Sequence, residues 1–348
     1  MRTARHKWAV TISAILLSLT VKSVCSAELM GLDNVTFGNF NFQFVDRVND
    51  TGIGFDDPMI ATNGMTVGDN RVALLGEVAA HLSDVLNVTG TANVEIRASL
   101  DDETSTALAS GGSAFFFASG FQQGLVQQGL LGTNNNAGQG FAQFNFGTNF
   151  NETLDAPAAN EIDFFSVALH ELTHAIGAIS LISPEGSSEI VGPQNQNVFS
   201  TFDQFLQQSD GTALITDGQL TAAADLDGDE VADVLQSEQL VFVGENAVAA
   251  NNGMPVDIFA PAVFLPGSSL SHIVEADAVL QFSIAPGVAR RDFTAVEIGI
   301  LQDIGFVDAL STAVPEPTSL AMFGIAVLVI TPFRRRFKQR KSRISRAA

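Results

Sequence analysis

Apolar residues in the first half of the chain change period several times. From Leu32 to Val45, Phe37, Phe40, Phe42 and Phe44 are interleaved with polar residues, which predicts a strand with one buried face. Residues 70–86 repeat apolar positions at three-and-four spacing, an amphipathic helix with Asp69 as its cap. Alternation returns in VEIRASL, residues 94–100, a second strand. The stretch from Ser110 to Asn151 is rich in Gly, Ala, Asn, Gln and Phe, and within it FAQFNFG, residues 141–147, is the expected strand. Its place just before the next helix suggests a rim on which an extended peptide could pair.

Two later stretches carry strong helical signals. Ile162, Phe165, Leu169, Leu172 and Ile176 form one stripe, with Asn160 as candidate N-cap and Gly177 as the stop. Near the end, Thr294 and Glu297 spell a capping box, and Val296, Ile298, Leu301 and Ile304 make a stripe ending at Gly305. Between them residues 181–268 show little periodicity, and FDQFLQQ, residues 202–208, is the one short helical candidate. The expected fold is α+β: an N-terminal mixed sheet with a central helix, then a loop-rich C-terminal part ending in a helix.

Charge changes the picture at both ends. Of 17 Lys and Arg, five (Arg47, Arg71, Arg97, Arg290 and Arg291) lie within residues 28–313, against 37 of the 38 acids, a formal −32 for the body. Such a field repels nucleic acid and anionic lipid, which excludes a nucleic-acid partner. Residues 1–27 have a basic start, an apolar run from Trp8 to Val21 and a small-residue exit at Cys25-Ser26-Ala27, as in a secretory signal peptide. Cleavage after Ala27 removes the single cysteine, so the mature chain has neither disulfides nor a thiol to mask a metal.

The central helix carries the chemistry. His170-Glu171-Leu172-Thr173-His174 places two imidazoles at i and i+4 on one helical face, the spacing that clamps a zinc ion, with Glu171 set to take a proton from the attacking water. Catalytic zinc needs a third protein ligand. His272, in GSSLSHI, is the choice; Glu185, Glu189 and Asp203 are runners-up, and His81 reads as a packing or surface residue. A second cation site is suggested by DLDGDEVAD, residues 225–233. Asp225, Asp227, Asp229 and Asp233, with the carbonyl of Val231, offer oxygens at alternating positions for calcium. Gln236 at the twelfth position makes this a short calcium loop rather than a complete EF-hand.

HELTHAIG resembles the opening of the metzincin motif H-E-x-x-H-x-x-G-x-x-H, with Ser180 at the final position. It is similar to the leishmanolysin-like metallopeptidases, in which a long insertion follows the glycine and a later S-H supplies the third histidine; Ser271-His272 fits. RRDFTAVEIGILQDIGF also resembles that subgroup's closing helix. The resemblance covers residues 166–180 and 267–306 and implies a zincin fold and a zinc endopeptidase acting on protein or peptide substrates. The sequence departs from the family where a methionine is expected beneath the metal: Gln281 or Ile284 stands there, and the chain has no tyrosine to stabilise an oxyanion. That departure leaves a second expectation, a catalytically silent envelope, matrix or adhesive protein stabilised by metal.

The tail reads as a Pro-rich hinge, an apolar run from Leu320 to Phe333 and a basic cluster. With Val314-Pro315-Glu316-Pro317 it resembles a PEP-CTERM sorting signal. The expected division is residues 1–27 signal peptide, 28–180 N-terminal subdomain with the zinc helix, 181–313 C-terminal subdomain with the third ligand, and 314–348 sorting tail. This implies signal peptidase and exosortase as processing partners, membrane contact through the tail alone, and export to a bacterial envelope or beyond.

Overall fold

The odd step from Phe37 to Phe40 breaks the alternation of the first apolar stretch, and the chain turns there. A computed structural model describes residues 10–11, 33–49, 51–100, 107–133, 138–221 and 225–310. In it the expected single strand 32–45 is a hairpin of β1 (Asp33–Phe37) and β2 (Phe40–Phe44) about a turn at Gly38 and Asn39. Phe40, Phe42 and Phe44 stay in phase and are fully buried. The chain divides into Met1–Ser311 and Thr312–Ala348. The expected sorting tail lies outside the described residues, as does the expected leader apart from Val10 and Thr11, which pair with Ser283 and Ile284.

Helix α1 (Val67–Leu86) begins three residues before the expected start. Thr66 is its cap, its hydroxyl accepting from the Asp69 backbone N–H at 3.0 Å. A hydroxyl one turn ahead of a free N–H outcompetes a carboxylate inside the first turn, so Asp69 is capped rather than capping. Strands β3 (Ala92–Ser99), β4 (Ala109–Ser113) and β5 (Gly120–Gln122), short helix α2 (Leu125–Leu130) and strand β6 (Gly138–Asn145) follow. The main sheet has the order β1-β2-β3-β6-β4, with β2, β3 and β6 parallel and β1 and β4 antiparallel to their neighbours. The expected rim strand is therefore interior: Phe141 of β6 pairs with Glu95 on one side and Gly112 on the other. Strand β4 is the edge instead.

One row of rings joins this sheet to the next helix, α3 (Phe164–Ala175). Phe55 lies 5.9 Å from Phe144, and Phe144 lies 5.0 Å from Phe164, centroid to centroid. Each such ring, withdrawn from water, contributes about 2–3 kcal/mol.

Beyond α3 the elements are short. Strands β7 (Ile190–Val191) and β8 (Asn197–Ser200) form a small sheet with β5. The 202–208 helical candidate is a single 3-10 turn, Asp203–Phe205, running into strand β9 (Leu206–Gln208). Pairing decides it: β9 joins β10 (Leu240–Phe242), which pairs in turn with β11 (Val256–Asp257). Helix α4 (Glu245–Ala250) packs on the closing helix α5 (Ala295–Ile304), whose capping box is formed as expected. The fold is mixed α+β with several sheets and few helices. No described helix is long and apolar enough to cross a membrane.

Candidate metal centre

Helix α3 starts at Asp163, not at Asn160. The Asp163 carboxylate accepts from the Ser166 N–H at 3.1 Å and the Ser166 hydroxyl at 2.6 Å, and it is paired with the guanidinium of Arg291. Every residue from Phe164 to Ala175 is buried, so the expected division into a core stripe and a separate histidine face is too simple. Two glycines allow this burial. A Cβ on Gly111 would stand 2.2 Å from the Glu171 carbonyl oxygen, so the edge strand β4 can pass this close to α3 only with glycine there. Gly177, at φ 117°, turns the chain back in a conformation that L side chains avoid.

That return brings three histidines together. His170, His174 and His272 are each fully buried, and their Nε2 atoms lie 2.9 Å (170 to 174), 3.1 Å (170 to 272) and 3.2 Å (174 to 272) apart. Their other nitrogens are all committed to backbone carbonyls. His170 Nδ1 meets Val279 at 2.6 Å, His174 Nδ1 meets Ala178 at 2.8 Å, and His272 Nδ1 meets Ser268 at 2.6 Å. A carbonyl oxygen can only accept, so each Nδ1 carries the proton and each neutral ring turns an Nε2 lone pair inward.

Burial disfavours charging them. Desolvation, then His174 and His272, hold His170 well below the usual imidazole range; desolvation takes His174 down to about 4, and desolvation with His174 takes His272 down to about 3. Three converging lone pairs without a proton between them repel unless a cation sits among them. Ligands around tetrahedral zinc at ~2.0–2.1 Å stand roughly 3.3–3.4 Å apart, within a few tenths of an ångström of the separations found here. The residues fit a metal ion.

Glu171 fits as well. Both its carboxylate oxygens are buried without a hydrogen-bond partner among the described residues, and burial pushes its carboxyl well above the usual range. An orphaned buried carboxylate is costly, and at a metal site it is the group expected to receive a proton.

His272 has neither helix nor strand of its own. The segment is stitched in place by Leu270 N–H to the Phe259 carbonyl, Phe259 N–H to the His272 carbonyl, and Ser180 N–H to the Ser271 hydroxyl. Leu270, buried two residues earlier, holds φ at 72°, a strained value for a branched side chain. Of the runners-up, Glu185 and Glu189 are exposed. Asp203 is buried, but its Oδ2 accepts the Leu181 and Ser200 N–H groups, and desolvation takes its carboxyl up to about 6. His81 packs edge-on to Phe165, with Asp292 3.9 Å away. At the expected methionine position, Ile284 is buried and Gln281 half-buried.

The acidic loop is a separate, exposed place. Oxygens of Asp225, Asp227 and Asp229 lie within 4.8 Å of one another. Asp233 instead accepts the Leu226 N–H at 3.1 Å, Val231 donates its N–H to Asp229, and Gln236 reaches Asp229 at 2.8 Å.

Compared with protein-family models, curated proteins and solved structures, the chain shows no match to any of them. The site therefore rests on its own geometry. Sequence reasoning missed Asp163, Arg291 and the carbonyls of Val279, Ala178 and Ser268; only Asp163, three residues before Ser166, left a readable capping signal.

Proposed function

We propose that the chain is a zinc-dependent endopeptidase of leishmanolysin-like metzincin type, exported to a bacterial envelope or beyond. The observation that carries this is the set of three inward-facing Nε2 lone pairs, each fixed by an Nδ1–H···O=C bond, beside a buried carboxylate with no partner among the described residues. His170, His174 and His272 would hold the ion. Zinc bound by three imidazoles supplies a Lewis acid that polarises a carbonyl and lowers the pKa of water. Glu171 takes the proton of the attacking water and returns it to the leaving amine, a role suited to a carboxyl pushed up by burial. Neither carboxylate oxygen has a hydrogen-bond partner among the described residues to compete for that proton.

The protein or peptide substrate, processing by signal peptidase and exosortase, and export belong to the same proposal. Calcium in the acidic loop is a second, independent part of it. The rival, a silent envelope protein with a structural metal, is favoured by the absent methionine but leaves Glu171 without a use.

Metal analysis of the purified protein, with casein or peptide cleavage beside Glu171→Gln, decides. The expected result is zinc in both proteins and cleavage reduced by about 10²–10⁴ in the variant. Zinc in both with no cleavage by the unaltered protein assigns the site to the rival.

A further inference from the structure

A second buried carboxylate lies close to the metal centre and has no part in the chemistry above. Glu297, in the first turn of α5, is fully buried. Its Oε2 accepts the Thr294 N–H at 2.9 Å, which completes the capping box. A capping box needs nothing more from the side chain. Yet Oε1 also accepts the Leu280 N–H at 2.7 Å.

The Leu280 N–H and the Val279 C=O belong to one peptide unit, which is planar, with its two polar groups pointing in opposite directions. On the far side of that unit the Val279 carbonyl takes the His170 Nδ1–H at 2.6 Å. Glu297, one peptide group and His170 thus form a continuous hydrogen-bonded line. The same turn is tied by Thr294 Oγ1 to Glu275 at 3.1 Å, and the Leu280 carbonyl accepts the N–H of Ile273, the residue after His272, at 3.1 Å. Burial pushes the Glu297 carboxyl up to about 7, against the pull of its N–H donors. Either protonation state leaves an oxygen able to accept the Leu280 N–H.

We propose that Glu297 is a positioning residue of the metal centre: by pinning the 279–280 peptide it aims the Val279 carbonyl, which fixes the tautomer and ring orientation of His170. A carboxylate bonded directly to a metal-ligating histidine is a familiar outer partner; here a peptide group stands between them. The turn lies where the resemblance leads one to expect a packed methionine, and a hydrogen-bonded carboxylate supplies the rigidity in its place. The inference rests on the metal-binding reading above.

The test is Glu297→Ala in the full chain, which removes the acceptor of the Leu280 N–H, with Thr66→Ala as a control that removes the cap of α1 away from the site. Three readouts apply: cobalt(II) and zinc affinity by competition with a chromophoric chelator, the cobalt(II) absorption spectrum, and imidazole ¹⁵N shifts of the metal-free protein. Glu297→Ala should weaken both metals roughly 10- to 100-fold, alter the cobalt spectrum and cost His170 its single tautomer. Thr66→Ala should change none of these. If Glu297→Ala does not fold, Glu297→Asp, which keeps the carboxyl and shortens its reach to Leu280, is read the same way. Unchanged affinity, spectrum and tautomer in the Glu297 variant would overturn this inference alone, as would equal weakening by Thr66→Ala. Failure of the unaltered protein to bind either metal overturns the metal reading and this inference together.

Discussion

His170 and His174 come from a helix buried along its whole length, whereas His272 comes from a segment with no regular structure, held by a few long-range hydrogen bonds. In the first case the helix ladder sets the spacing and the sheet's phenylalanines set the position. In the second, position is imposed from outside: Phe259, Ser271 and the strained Leu270 fix the backbone, and Ser268 fixes the ring. A local periodicity can build two-thirds of a metal site. The last third needs a tertiary scaffold, and here Phe259, the Ser180 N–H and the Leu280 carbonyl hold the segment around His272 in place.

The hardest test of that contrast compares the two kinds of ligand. If the loop segment is as well fixed as the helix, His272→Ala and His174→Ala should weaken zinc binding alike, each by more than the ~10–100-fold typical of an outer-partner change. Competition with a chelator measures it. A His272→Ala protein that keeps its affinity would show that the helix pair alone binds the ion and that the loop histidine is a bystander.

The contrast also explains what was legible in the sequence. The pair on α3 and the Thr294–Glu297 box are short-range patterns, and the structure contains both. The first hairpin is only half legible, because the phase slip between Phe37 and Phe40 marks a turn that a count of phenylalanines passes over. Strand β6 starts three residues and ends two residues ahead of the alternating stretch, since Gly138, Gln139 and Gly140 give no alternating signal, and its place inside the sheet depends on partners far away in the chain. Asn160 reads as the cap in place of Asp163 because Ile162 and Phe165 share the helical spacing, though Ile162 lies in a two-residue strand. His272 stands out only through the scarcity of histidines and through resemblance. The carbonyls that orient all three rings have no side-chain identity and left no trace.

A smaller effect probes the joint between the two regions. Arg291, from the segment leading into α5, pairs with Asp163, whose side chain is wholly buried at the head of α3. Arg291→Ala leaves that carboxylate without its cation and should cost about 3 kcal/mol in urea unfolding. Arg291→Ala combined with Asp163→Ser, which keeps a capping oxygen without the charge, should recover part of the loss. Equal losses in the single and double variants would mean that the regions are held together elsewhere.

Asp203 gives an effect of similar or lesser size with a distinct pH signature. Its carboxyl is raised from 3.8 to about 6 when folded, so the folded protein binds the extra proton. This contribution to stability is fully present below about pH 4 and lost as pH rises through 6. Asp203→Asn keeps one oxygen for the Leu181 and Ser200 N–H groups and carries no charge at any pH. It should gain about 2–3 kcal/mol over the unaltered protein at pH 8, with the gain shrinking towards pH 5. A gain independent of pH would locate the burial cost elsewhere.

The acidic loop should yield the smallest change, because it is exposed and its ends are anchored without any ion, through Leu226 to Asp233 and Ala232 to the Pro184 carbonyl. Its three clustered carboxylates repel one another at low salt. If they bind calcium in the weak range of extracellular modules, ten times the dissociation constant adds about 1.4 kcal/mol to stability. Replacing Asp227 and Asp229 together by Asn removes both the repulsion and the ligands. That variant should be slightly more stable than the unaltered protein in chelator and less stable in millimolar calcium. The crossing of the two thermal-melt series is the diagnostic: repulsion alone predicts the same sign in both conditions, and only a bound cation reverses it.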